Sequence, residues 1–304
     1  MNIELARTFL EVVSTGSMAN AADRLHVTHS TVTMRIKALE DILRRRVLIR
    51  SKTGVTMTPE GVRFHRFAET LVRTWQMTRR QMSLSSEFNG ILSVGCDQSL
   101  WDDVMFQWVV NTRRTYPGIA VRCENGDSEY LVNRLFQGWL DFCIVYEARA
   151  TSGFTVEFLF DDPMVIASTE DRTLRDSWDP SFIEIDWDAG VKAQEEYHWG
   201  AVDETAHVSV MGAALGRRLV HEFGGSVLVP VRTLHKNNAY GILYPVKGSP
   251  LLERKAYLVY SESLRERVPD ISIDDIRSTV LALVHASQTD IVCLQPASGR
   301  QDRT

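Results

Sequence analysis

The chain has 304 residues, 44% hydrophobic and 24% charged, the composition of a globular protein with apolar mass for about two domains. No apolar run approaches bilayer length, and the first residues carry Glu4 and Arg7 instead of a signal peptide's unbroken apolar stretch, so a cytoplasmic protein with no membrane partner is expected. The net charge of -5 hides a division: residues 1–86 hold 14 Lys+Arg against 7 Asp+Glu, and the remainder holds 20 against 32, so a basic segment suited to a polyanion sits on an acidic body.

In chain order, Leu5, Phe9, Val12 and Val13 recur at steps of three and four, which predicts an amphipathic helix over 3–15. Gly16 ends it, and Ser17 caps a short second helix whose Met18, Ala19, Ala21 and Ala22 let a neighbouring helix cross closely. Thr28 caps a third helix with Val32, Ile36, Leu39 and Ile42 turned inward. Together with Thr28, its other face shows His29, Ser30, Thr31, Thr33, Met34, Arg35 and Lys37. Hydroxyl and imidazole groups at a helix start, followed by cations, suit a helix whose N-terminal end enters the major groove of DNA. His26 and His29 lack a carboxylate or thiol partner and read as turn and groove-facing residues instead of metal ligands.

Val47 to Arg50 and Val55 to Thr58 are short β-like runs around Lys52-Thr53-Gly54, a wing hairpin with Arg50 and Lys52 as DNA-facing cations. Thr58-Pro59-Glu60 then supplies a cap, a first-turn proline and a first-turn acid. The helix that follows is expected to run to about Leu84, with Phe64, Ala68, Leu71, Trp75, Thr78 and Met82 forming a coiled-coil-like seam. Phe64, Ala68, Leu71 and Trp75 are assigned to pairing with a second copy.

From residue 90 onward strand-like and helix-like runs alternate, which is the signature of α/β layering. Asp161-Asp162-Pro163 reads as a crossing between two lobes, and 273–286 as a final helix. Cys96, Cys123 and Cys143 fall mid-strand and, with Cys293, form no C-x-x-C pair; they read as buried, inert thiols, not as a zinc site, a disulfide or a redox sensor. The chain has no G-x-S-x-G, H-E-x-x-H, G-x-x-x-x-G-K-[ST] or G-x-G-x-x-G motif, and no enzyme is expected.

The run Leu5-x3-Phe9-Leu10-Glu11-Val12, then Gly16-Ser17-Met18, Ala21-Ala22-x2-Leu25, Val27-Thr28, Val32, Ile36-x2-Leu39-Glu40, Arg50 and Thr58-Pro59-Glu60-Gly61 resembles the signature of LysR-type transcriptional regulators, over nearly all of 1–61. Departures are Arg44 in place of the usual Gly at the end of the recognition helix, Val47-Leu48 for Leu-Phe, and His29 and Thr33 for Gln and Ser. The resemblance implies a winged helix-turn-helix (1–58), a linker and dimerisation helix (59–88), and an α/β effector domain (90–304) of two Rossmann-like lobes resembling periplasmic binding proteins. Lobe one is placed at about 90–161 and 264–294, and lobe two at about 162–263. The implied partners are double-stranded DNA carrying an interrupted palindrome, further copies in a dimer of dimers (a homotetramer), and RNA polymerase. No cofactor is implied beyond a small-molecule effector. In such sheets ligands collect where strand carboxyl ends meet helix N-termini. That rule nominates Asp97, Gln98, Ser99 and Trp101 after the first strand, Ser128 after the second, and Trp187 and Ser209 from lobe two. Ser99 and Ser128 have helix capping as an equal alternative, and the tryptophans have core packing.

Overall fold

A computed structural model describes residues 2–51, 54–149, 153–174, 181–199, 206, 208–234, 242–261, 264 and 270–288. Lys52, Cys293 and the 295–304 tail lie outside the described residues. The chain divides into two compact units, one reaching Glu87 and including Asn133–Leu140, the other holding Phe88–Val132 and the chain from Asp141 onward. No helix among the described residues is long and apolar enough to cross a membrane.

The first unit opens with α1 (Ile3–Thr15), which ends where Gly16 turns into the left-handed region at φ 62°. Ser17 caps α2 (Met18–Arg24) by accepting from the Asn20 amide, and Thr28 caps α3 (His29–Leu43) by accepting from the Thr31 amide. The three helices bury Leu5, Phe9, Val12, Ala21, Ala22, Val32, Ile36 and Leu39 in one core, as their spacing predicts. Ile42 does not join them; it is exposed. Strands β1 (Leu48–Ser51) and β2 (Gly54–Met57) pair antiparallel as the wing, with Leu48 opposite Met57. The Val55 amide donates to the Gly16 carbonyl at 2.8 Å, so the turn after α1 anchors the wing.

The long helix α4 (Pro59–Met82) starts on the Thr58 hydroxyl, which accepts from the Gly61 amide and donates to the Arg46 carbonyl. A Cβ at Gly61 would stand 2.1 Å from the Val47 carbonyl oxygen, so only glycine lets α4 approach the wing this closely. Within this unit Arg80 donates to the carbonyls of Gly138 and Trp139.

The second unit contains two five-stranded sheets. Lobe one has the order β4-β3-β5-β12-β6, built from β3 (Gly90–Asp97), β4 (Ile119–Gly126), β5 (Phe142–Val145), β6 (Phe154–Asp161) and β12 (Lys255–Ser261). Its helices are α5 (Phe106–Thr115), α9 (Ile273–Gln288) and the first part of α6 (Ser128–Phe136), whose residues from Asn133 onward group with the first unit. Lobe two has the order β11-β7-β10-β8-β9, from β7 (Met164–Ser168), β8 (Phe182–Ile185), β9 (Val208–Val210), β10 (Ser226–Pro230) and β11 (Tyr244–Pro245), with α7 (Ala189–Trp199) and α8 (Ala213–Phe223). Both sheets are mixed: β3 runs parallel to β4 and β5, whereas β12 runs antiparallel to β5 and β6. The chain passes from lobe one to lobe two between β6 and β7, at Asp161-Asp162-Pro163 as expected. Its return corrects the expected boundary. Strand 255–261 pairs inside the lobe-one sheet, so the crossing falls at about Arg254 and not after 263.

Candidate nucleic-acid interface and effector cleft

The first candidate site is the start of α3. Thr28 Oγ1 lies 2.8 Å from both Ser30 Oγ and Thr31 Oγ1, a hydroxyl cluster at the positive end of the helix dipole. His29, Ser30 and Lys37 are exposed, Met34 is 64% exposed, and Thr31 and Thr33 are partly covered. Thr33 Oγ1 is buried with no hydrogen-bond partner among the described residues. Arg50 is exposed on β1.

Arg35 departs from the expected groove-facing role. Its guanidinium turns to α1, 3.5 Å from the Glu4 carboxylate and 3.3 Å from Thr8 Oγ1, so it bridges two helices of the domain. Arg44 stands in the left-handed region at φ 52° and ends α3 there, so the missing glycine does not lengthen the helix. Glu40 fixes the chain that follows by accepting from the Val47 and Leu48 amides.

On α4 the expected seam splits. Phe64 and Ala68 are buried in the winged-helix core, Phe64 edge-on to Phe9 at 5.2 Å, and so are corrected from pairing residues to core residues. Leu71 and Trp75 are exposed, and Phe67 and Met82 extend their stripe, giving 67, 71, 75, 78 and 82 at steps of four and three.

The second candidate site lies where the two lobes meet. Asp97 ends β3, and its Oδ1 accepts from both the Ser99 amide and the Ser99 hydroxyl. Arg254, at the return crossing, donates from Nη1 to Ser99 Oγ at 3.2 Å and from Nε to Asp188 Oδ2 at 2.8 Å, with Asp97 at 3.8 Å. Its guanidinium carbon lies 3.4 Å from the Tyr146 ring centre and 4.9 Å from that of Trp187.

Behind it, Arg232 is fully buried. It donates to Asp162 at 3.0 Å, Asp103 at 2.9 Å and the Ser99 carbonyl at 2.8 Å. Arg217 of α8 faces Asp102 and Asp103 at 3.3 and 3.6 Å. Burial alone would lower the Arg232 pKa, but the Asp162, Tyr146 and Asp103 groups outweigh it and raise it. The Tyr146 hydroxyl donates to Asp162 at 2.5 Å, and burial first, then Asp162, pushes its pKa well up.

Of the nominated effector residues, the structure joins Asp97, Ser99 and Trp187 in one cluster. Gln98 is exposed beside it, its amide facing Gly212 at the start of α8. Trp101 is corrected to a core role, since its indole N–H donates to the Cys96 carbonyl and its ring packs on the lobe-one core. Ser128 accepts from the Tyr146 and Glu147 amides, so it ties the end of β5 to α6. Ser209 is exposed on the edge strand β9 opposite Glu184, and no described contact joins it to the cluster. The residues the sequence did not nominate are the arginines, Tyr146, Asp102, Asp103, Asp162 and Asp188. Asp162 at the crossing was the one legible signal among them. Cys96 and Cys143 are buried as expected, with burial raising their pKa, but Cys123 is exposed.

Two family models match the chain. One, described as a bacterial regulatory helix-turn-helix protein of the lysR family, matches residues 3–62; the other, a LysR substrate binding domain, matches residues 85–183. Curated relatives include the HTH-type transcriptional regulator HdfR of Escherichia fergusonii and of Escherichia coli O17:K52:H18. Each is 27% identical over 266 residues, which cover 86% of this chain and 93% of the relative. Among solved structures, full-length OxyR from Pseudomonas aeruginosa aligns with a TM-score of 0.52 at 17% identity, covering 95% of each chain, a likeness of fold.

Proposed function

The chain belongs to the LysR family of helix-turn-helix DNA-binding transcription regulators with an effector-binding domain, and from that premise we propose that the start of α3 reads the major groove while the cleft between the α/β lobes senses the effector. The carrying observation is the Thr28-capped helix start, where His29, Ser30, Thr31 and Met34 stand out from a core that fixes their orientation. Thr33, whose hydroxyl is buried, is left out of the reading face, and Lys37, Arg50 and Lys52 hold phosphates. Arg35 positions α3 against α1 instead of touching DNA.

Copies pair through the α4 stripe of Phe67, Leu71, Trp75 and Met82, so two winged helices meet the half-sites of an interrupted palindrome. A dimer of dimers then bends the intervening DNA, and closure of the lobes on an effector changes that bend. RNA polymerase is the further partner such a bend serves, and the cytoplasm is the compartment. Catalysis forms no part of this reading.

The test is a salt titration of full-length protein on duplex DNA carrying its genomic binding sites. Neutralising about six phosphates lowers affinity roughly a thousandfold between 50 and 200 mM salt. Affinity that is absent at low salt, or flat with salt, removes the proposal.

A further inference from the structure

Arg254 is set like a bound ligand. Its guanidinium rests on the Tyr146 face at 3.4 Å and lies 4.9 Å from the Trp187 ring centre. Two carboxylates, Asp188 and Asp97, face its nitrogens at 2.8 and 3.8 Å. An aromatic wall closed by carboxylates is the arrangement that recognises an organic cation.

The wider cluster keeps the same sign. Among the described residues five aspartates meet three arginines there, so an anion entering it would meet excess negative charge. Arg254 is also the replaceable member. Each arginine has three acceptors, but Arg232 has no exposed surface, whereas Arg254 keeps 4% of its side chain exposed and its carboxylates reach the outside, Asp97 by 15% and Asp188 by 19% of their side chains. Trp187 is 8% exposed, and its indole nitrogen is buried with no hydrogen-bond partner among the described residues, a donor left for a ligand acceptor.

Resting on the reading of this cleft as the effector site, we propose that the effector is a small organic cation, a guanidinium or ammonium compound with a neutral acceptor group, and that the Arg254 guanidinium occupies the position this cation takes. The two compete for one cage. Because Arg254 sits at the return crossing between the lobes, its displacement is coupled to how they close.

The test uses full-length protein, with methylguanidinium and agmatine as cationic probes and benzoate as the anionic one, at constant ionic strength. Calorimetry of Arg254→Ala is expected to show saturable methylguanidinium binding, roughly tenfold or more tighter than in Arg254→Ala/Asp188→Asn, which lacks one charge-assisted partner. Should Arg254→Ala fail to fold, Arg254→Lys keeps a shorter cation in the cage, and the same discrimination is read from agmatine binding to Arg254→Lys with and without Asp188→Asn. Wild-type protein is expected to bind agmatine and not benzoate. Saturable benzoate binding, or cation binding indifferent to Asp188→Asn, overturns the cation class while leaving the cleft as the effector site. No binding of any probe to wild type or variants overturns both this proposal and the effector reading of the cleft.

Discussion

At the scale of single residues, the proposed reading of α3 separates side chains that read bases from those that only attract phosphate. His29 and Thr31 stand at the first turn, where polar tips reach base edges, whereas Lys37 is a flexible point charge two turns on. His29→Ala and Thr31→Ala are each expected to relax preference at particular operator positions, by about 1–3 kcal/mol of discrimination. Lys37→Ala is expected to weaken all sequences alike and to flatten the salt slope by about one phosphate. Binding curves on a panel of single-base operator variants separate the two patterns. A uniform loss from Thr31→Ala and His29→Ala would show that another face of the domain reads the bases. Arg35 shows where residue-level reading of the sequence fails. Position 35 follows the exposed helix start and carries charge, both marks of a DNA contact, yet Glu4 and Thr8 lie within its reach and hold it inside the domain. A sequence gives the helical angle of a side chain but not the acceptor waiting beside it.

At the scale of elements, the same limit explains α4. Its pattern fixes a helix from Thr58 to its last turn, but two apolar stripes lie side by side on it, and periodicity cannot say which partner covers which. The stripe with Phe64, Ala68 and Val72 closes the winged-helix core, and the stripe with Phe67, Leu71 and Trp75 stays outside. Trp75→Asp is therefore expected to place a charge in the proposed pairing contact, at a cost of several kcal/mol, and to reduce the mass seen by light scattering while both units stay folded. An unchanged mass with lower thermal stability would instead return Trp75 to its own domain.

A second element-scale consequence concerns α7. Burial, and then the Glu184 carboxylate of β8, push the Glu195 carboxyl up to about 7. A folded-state pKa above the unfolded value means that this group's stabilisation is complete below about pH 4.5 and is lost as pH rises through about 7. Glu195→Gln is expected to raise the melting temperature at pH 8, leave it little changed at pH 4.5, and flatten the slope between them. Parallel wild-type and variant profiles would show that folding does not shift the Glu195 carboxyl.

At the scale of the whole molecule, the lobe architecture was legible from alternating strand and helix runs, and Asp162 from its place between two strands. The charged centre was not. Arginines at 217, 232 and 254 are far apart in sequence and sit beside loops or on a helix, where a charge is ordinarily solvated. Only the pairing of β12 back into lobe one brings Arg254 to Asp97, and only the turn after β10 brings Arg232 to Asp103 and Asp162. Because Arg232 belongs to lobe two, Asp103 to lobe one and Asp162 to the crossing, the ions tie the lobes together.

Removing one side of that tie should cost more than removing both. Arg232→Met leaves the Asp162 carboxylate, which has no exposed surface, with only the Tyr146 hydroxyl of its two described partners. A buried carboxylate without its cation is destabilising by about 3–5 kcal/mol, so Arg232→Met is expected to lower the denaturant midpoint of the effector domain by that order. Arg232→Met/Asp162→Asn removes the orphaned charge and keeps a polar group for Tyr146, and is expected to recover a large share of the loss. Denaturant unfolding of wild type, both single variants and the double variant gives the coupling directly. If the double variant loses the sum of the two singles, Arg232 and Asp162 act independently and the tie between the lobes rests on Arg217 and Arg254. A positive coupling is the result expected of an ion pair buried at the crossing between the lobes, where removing the cation alone strands a carboxylate and removing both does not.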